Sequence, residues 1–319
     1  MLTTIATLAL LLQATPAPPA PPSPAPRPRV KVHAPEAPRW NSRRDRDDDS
    51  ELTRDTSFAV RQGQRLEVDN FGGSITVTAG SDDRIRITAA SSGDAFQVDG
   101  GSITINVSTS AGRYGGPGDA ELTIQVPAWM ELELSGNEVD ISTRGMRNSV
   151  KANTVDGTIV IDGAEGSVDA SSVEGDVTIS NVKGRVQLNT VEGAVTLTNI
   201  SGTAVEAETV DGDIEMTGVT TPNISANTVD GDISWSGSLA PTGSYRFATH
   251  DGDLMLRISG EPDATVSVDT FDGSLDSDWP VTLTGSQRRR MTFTLGAGRA
   301  RLELSSFDGR ISLKRGSGR

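Results

Sequence analysis

Apolar and polar residues alternate with period two along almost the whole chain beyond residue 58, and no stretch carries a helical period. The pattern predicts strands at 65–68, 74–77, 84–87, 102–107, 121–126 and 131–134, separated by Gly, Asp and Pro clusters. Ordered structure is expected to begin near Phe58. From about Val139 to Leu313 the alternation becomes repetitive. Ile159 and Ile161 share one parity, and Val168 and Ala170 share the opposite parity after a turn at 163–166. The same positions return as Val177/Ile179 with Val186/Leu188, as Val195/Leu197 with Val205/Ala207, and as Ile214/Met216 with Ile224/Ala226. A change of parity needs a corner, so each repeat should supply two short strands joined at a glycine.

The corner has a signature: a β-branched or aromatic residue, an acid, then glycine. It reads Val155-Asp156-Gly157, Val173-Glu174-Gly175, Val191-Glu192-Gly193, Val210-Asp211-Gly212, Val229-Asp230-Gly231, His250-Asp251-Gly252, Phe271-Asp272-Gly273 and Phe307-Asp308-Gly309. Successive glycines are 18, 18, 19, 19, 21, 21 and 36 residues apart. A unit this short cannot bury its apolar face alone and must lie on its neighbours. The expected fold is therefore all-β, a single-chain parallel β-solenoid (β-helix) with 18–21-residue coils. A strand-rich N-terminal part should precede it and a C-terminal strand pair should close it. Ile159, Val177, Val195, Ile214, Ile233, Leu254 and Leu275 are expected in one buried column. Val191, like Ile214, is expected in a dry column where an aspartate would unfold neighbouring coils. Thr154, Ser172, Thr190, Thr209, Thr228, Thr249, Thr270 and Ser306 form a hydroxyl column suited to coil-to-coil hydrogen bonds. The 36-residue gap reads as about two coils with one motif missing, holding a strand pair and a basic loop at Arg288-Arg289-Arg290.

Four segments follow from composition. Residues 1–17 read as a secretory signal peptide, with the apolar run 2–12 too short to span a bilayer. Residues 18–55 form a stalk, first Pro-rich and then of mixed charge, expected to be disordered. Residues 56–136 are the strand-rich N-terminal part, and 137–315 the tandem-repeat solenoid with its C-terminal cap. The chain holds no cysteine, which excludes disulfides and thiolate metal or redox chemistry. Export to the periplasm, cell surface or medium is expected, with no transmembrane span in the mature chain.

The segment 66–77 (LEVDNFGGSITV), the Gln125-Val126-Pro127 run leading into Leu132-Glu133-Leu134, the tandem T-V-D-G-D-I units and the final 302–311 (LELSSFDGRI) together resemble a bacterial putative-adhesin family of β-strand-repeat domains. The resemblance covers about residues 58–315. It implies an exported β-solenoid, adhesin-like, and supplies no catalytic residues.

Candidate chemistry is sparse. Three consecutive coils double the acid as Asp211/Asp213, Asp230/Asp232 and Asp251/Asp253. Carboxylates stacked about 4.8 Å apart repel, and oxygen ligands suit calcium, so these six are the candidate weak Ca2+ site. The alternative is turn chemistry alone, with carboxylates splayed into solvent. No other cofactor is implied. His250 is the sole imidazole beyond the stalk and takes a motif position held elsewhere by valine or phenylalanine, which favours stacking over a Ser-His-Asp triad. Residues 56–273 carry 12 basic and 32 acidic side chains, net −20, which repels nucleic acid. The expected function is a non-enzymatic envelope or surface binding scaffold whose partner is an envelope or surface glycan or a protein. The alternatives are a purely structural envelope protein and a carbohydrate-active β-helix enzyme.

Overall fold

An 18-residue repeat folds as two short strands joined by corners, as in Val168–Ser171 followed by Val177–Val182. Val168 and Ala170 point inward from the first strand, Val177 and Ile179 from the second. Each strand has one apolar face and unpaired backbone groups on both edges, so it is stable only between copies of itself. In the computed structural model, which describes residues 52–91, 95–99, 103–108, 119–281, 283–287 and 290–316, those copies are its neighbours in the repeat. Val168–Ser171 pairs in parallel and in register with Val150–Asn153 on one side and Val186–Asn189 on the other. Val177–Val182 does the same with Ile159–Ala164 and Val195–Thr198. Two parallel ladders result. The first continues through Val205–Glu208, Asn223–Asn227 and Ser244–Asp251. The second continues through Ile214–Thr217, Ile233–Gly237 and Leu254–Ile258. Every regular element among the described residues is a strand, as the period-two pattern predicts.

The core lies between the ladders. Ile159, Val177, Val195, Ile214, Ile233 and Leu254 stand in register, each at most 1% exposed. Burying each aliphatic side chain contributes about 1.5–3 kcal/mol. The next member of the column in space is Ile311, and Leu275 follows it at the end, only partly buried. In several coils a small residue on one ladder accompanies a large one on the other, which keeps the core dense. Ala170, Ala207 and Ala226 on the first ladder accompany Ile179, Met216 and Trp235 on the second. Where the period lengthens to 21 residues, Trp235, Tyr245 and Phe247 fill the wider section, with ring centroids 5.8 and 6.0 Å from Trp235.

At both ends the order of stacking departs from the order of the chain. The strand Arg65–Gly80 turns a corner at Gly72-Gly73 and so serves both ladders. It lies between Glu131–Arg144 on one side and the pair Ile103–Ser108 and Ala120–Pro127 on the other. The first parallel layer of the sequence is thus enclosed by two later ones. Antiparallel strands cover the outside: Ala95–Asp99 on Ile103–Ser108, Arg84–Ser91 on Ala120–Pro127, and Leu52–Ala59 on Arg84–Ser91. The other end mirrors this. Ala300–Asp308 and Arg310–Arg315, the last layer of the sequence, slot between Ser244–Ile258 and Ala264–Ser277. Arg290–Leu295 then covers Ala264–Thr270 antiparallel, and Leu283–Gln287 covers Arg290–Leu295. Such caps hide open ladder edges from other chains.

Three expectations are adjusted. Strand structure starts by Leu52 rather than near Phe58, because an outer antiparallel strand needs backbone pairing more than an apolar face. The 36-residue gap holds an antiparallel pair and the start of an intercalated layer, not two successive coils. Arg290, expected in the basic loop, is a strand residue opposite Gln287, while Arg288 and Arg289 lie outside the described residues. The signal peptide and all of the stalk before Leu52 also lie outside them. No helix among the described residues is long and apolar enough to cross a membrane.

Candidate interaction surface

The corner carrying the motif is built by four consecutive residues with different tasks. Thr228 is buried, and its hydroxyl is shared between the carbonyl of Asp230 in its own coil (3.3 Å) and that of Gly212 in the preceding one (3.2 Å). Thr249 repeats this with Asp251 (3.2 Å) and Gly231 (3.0 Å). The hydroxyls expected to bond from coil to coil do so here, reaching the glycine carbonyl of the preceding coil. The acid carbonyl also accepts a glycine amide (Gly212 N–H to Asp230, 2.9 Å). Thr270, expected in the same column, has a buried hydroxyl that makes no such bond. Gly231 has φ +149°, and a Cβ there would stand 2.2 Å from the Gly212 carbonyl oxygen. Glycine is required both by conformation and by the closeness of the next coil.

Because the threonine takes the inward position, the two residues between it and the glycine both face solvent. This overturns the expectation for Val191. It is 43% exposed, whereas Ile214 is 1% exposed as expected. The consequence extends along the molecule. Val155, Val173, Val191, Val210 and Val229 are all 43–49% exposed and follow one another in adjacent layers. Each carbonyl from Val155 to Val229 accepts an amide of the next coil, as in Asp211 N–H to Val191 (2.8 Å) and Asp230 N–H to Val210 (2.8 Å), which fixes the column. His250, Phe307 and Phe271 prolong it in that spatial order. The His250 and Phe307 rings meet edge to face at 4.7 Å, and Phe307 and Phe271 stack at 4.7 Å and 3°. His250 thus stacks, as its motif position predicts. Phe71 takes the equivalent place at the other end, beyond Asn137. The result is an exposed apolar ridge along one edge of the stack.

The ridge is the surface feature that sequence reasoning missed. Its signal lies in the parity of the preceding strand: continuing Val186 and Leu188 by two residues puts Thr190 inside, and Val191 cannot share that direction. The αL column at the opposite corner was missed too. There Asn181 (φ 57°) and Asn199 (φ 55°) stand in for Gly163 and Gly218, and the Asn181 amide donates to Asp162 Oδ1 (2.7 Å).

Beside the ridge runs the acid column. Asp156, Glu174, Glu192, Asp211, Asp230 and Asp251 are bridged coil to coil through their backbones and exposed at their side chains. None of them forms an ion pair among the described residues, although Lys151 pairs with Glu133, Arg185 with Glu206 and Arg246 with Glu303 on other parts of the surface. The second acid of each doubled motif is engaged differently. Asp213 Oδ1 accepts the Asp232 amide (2.8 Å), Asp232 Oδ1 the Asp253 amide (2.7 Å), and Asp253 Oδ1 the Arg310 amide (2.7 Å). The candidate calcium set is therefore divided. Asp211, Asp230 and Asp251 form one column; Asp213, Asp232 and Asp253 form another and spend an oxygen each on the next coil. Among the described residues no group of three or more His, Asp or Glu side chains converges as a metal-holding set.

Two ladders, intercalated end layers and repeated glycine corners define a parallel β-solenoid domain. The chain belongs to the Toastrack DUF4097 family, whose sequence pattern matches residues 63–314. No curated protein matches it. Two solved structures are similar. One is a putative cell adhesion protein from Clostridium sporogenes ATCC 15579, 10% identical, with TM-score 0.22, covering 82% of this chain and 99% of that one. The other is a putative adhesin from Parabacteroides distasonis ATCC 8503, 8% identical, with TM-score 0.47, covering 83% and 98%.

Proposed function

We propose that this protein is a non-enzymatic binding scaffold of the cell envelope or surface, exported by its N-terminal segment. The observation that carries the reading is the ridge: an apolar line spanning successive layers, left in solvent by a fold that buries its other aliphatic columns almost completely. Contiguous exposed apolar surface in a stable protein marks a site of interaction. The side chains around it support binding rather than turnover, since His250 contacts a phenylalanine ring and the carboxylates of the column are open to solvent. The test is a binding screen of the full chain against envelope fractions, isolated envelope glycans and envelope proteins, with a polysaccharide turnover assay in parallel. Saturable binding without turnover is expected. Turnover lost on removal of a carboxylate pair would replace the scaffold with an enzyme, and absence of any binding would leave a structural role.

A further inference from the structure

The column beside the ridge indicates what the ridge holds. We propose that this edge docks an extended cationic polypeptide, its apolar side chains lying on the valines from Val173 to Val229 and its lysine or arginine side chains reaching the carboxylates from Glu174 to Asp230. The proposal rests on the scaffold reading and adds to it the binding face and the partner's chemistry.

Three observations converge. The valines are nearly half exposed in every layer, so the apolar line has no break over this stretch. The carboxylates alongside lack ion pairs among the described residues, and no basic residue occurs between Val186 and Tyr245. Like charges at the ladder spacing of about 4.8 Å repel by about 1 kcal/mol per neighbouring pair in water, and a cationic partner relieves that repulsion. A small cation would relieve it too but would leave the ridge bare. An anionic polymer would be repelled. A second copy of this chain, packed ridge to ridge, would bring two acid columns together. A polypeptide combining apolar and cationic side chains satisfies both columns, and equivalent sites repeated layer after layer let a longer segment bind more tightly.

The probe is a fluorescein-labelled synthetic 12-residue peptide of alternating lysine and valine, titrated by anisotropy into the full chain. Alternating Lys-Ser and Glu-Val peptides serve as comparators. The Lys-Val peptide is expected to bind saturably and to weaken with salt, with the Lys-Ser peptide roughly tenfold weaker and Glu-Val silent. The double variants Val191→Ser/Val210→Ser and Glu192→Gln/Asp211→Asn should each weaken it roughly tenfold while melting like the wild type, because these side chains face solvent. Equal binding of Lys-Ser, or unchanged binding by the valine variant, overturns the proposal in favour of charge alone. Concentration-dependent self-association abolished by Val191→Ser/Val210→Ser overturns it in favour of a second copy. Glycan binding without peptide binding overturns the proposal and leaves the scaffold reading standing. Polysaccharide turnover would remove the scaffold reading whatever the peptide does.

Discussion

Val191 and Ile214 are both β-branched aliphatics of neighbouring coils, yet they face opposite ways, and the same substitution separates them. Ile214→Asp places a charge without a partner in the core and should cost about 3–5 kcal/mol, enough to melt the adjoining coils. Val191→Asp adds a charge to solvent and should stay within about 0.5 kcal/mol of wild type. Thermal melting of the two variants side by side decides it. A second residue-scale prediction concerns acid. Hydrogen bonds from Asn181 and Ser180 hold the Asp162 carboxyl below its ordinary pKa, burial opposing and Arg144 assisting. A carboxyl depressed in the folded state stabilises above its ordinary pKa and loses that contribution as pH falls through the folded value. Asp162→Asn should therefore melt below wild type at neutral pH. The gap should close as the solution is acidified past about pH 3.9 and then through the depressed value, as melting curves across that range would show.

At the scale of the element, the glycine corner is the least replaceable part of the repeat. Gly212 has φ +149°, and a Cβ there meets the Gly193 carbonyl oxygen at 2.2 Å. Gly212→Ala should cost about 1–3 kcal/mol for the backbone conformation alone, and more for the contact. Asn199→Gly, at a φ of 55° that glycine adopts freely, should be nearly neutral in the same melt. The acid column also belongs to this scale. If it is turn chemistry, millimolar calcium should raise the melting temperature no more than sodium chloride at matched ionic strength, since both screen the same repulsion. A calcium-specific rise that shrinks in Asp230→Asn/Asp232→Asn would make the column a cation site.

The two strands of each repeat, their parity and their glycine corner were legible in the sequence because parity is a local consequence of the pleat. The same parity, continued from Val186 and Leu188, also placed Thr190 inside and Val191 outside, a signal masked by the aliphatic character of Val191. The outer strand Leu52–Ala59 left no pattern, because its pairing with Arg84–Ser91 is made by the backbone. The six aspartates were legible as a cluster, but their division into a solvent column and an amide-capping column depends on which oxygen meets the next coil.

For the whole molecule, the internal layers are interchangeable and the end layers are not. Removing residues 176–193, one full 18-residue period, joins Gly175 to Ala194 and keeps every ladder in register. That variant should remain folded and monodisperse, with a modest loss of stability. Removing residues 300–319 instead takes out the layer between Ser244–Ile258 and Ala264–Ser277. Both faces of the gap then expose open strand edges, and self-association in size-exclusion chromatography is expected. If the truncated chain stayed monomeric with an unchanged melt, the intercalated layer would not hold that end together.

The same arrangement sets a timetable. A chain that emerges N-terminus first can zip its middle repeats as they appear, but Ala264–Ser277 finds its parallel neighbour only when Ala300–Arg315 arrives. Until those strands arrive, the growing end has no finished surface. Completion is thereby tied to the emergence of residues 300–315, and a molecule cut short before them carries a visible mark of being unfinished: raw sheet edges on Ser244–Ile258 and Ala264–Ser277 that a protease or chaperone can read.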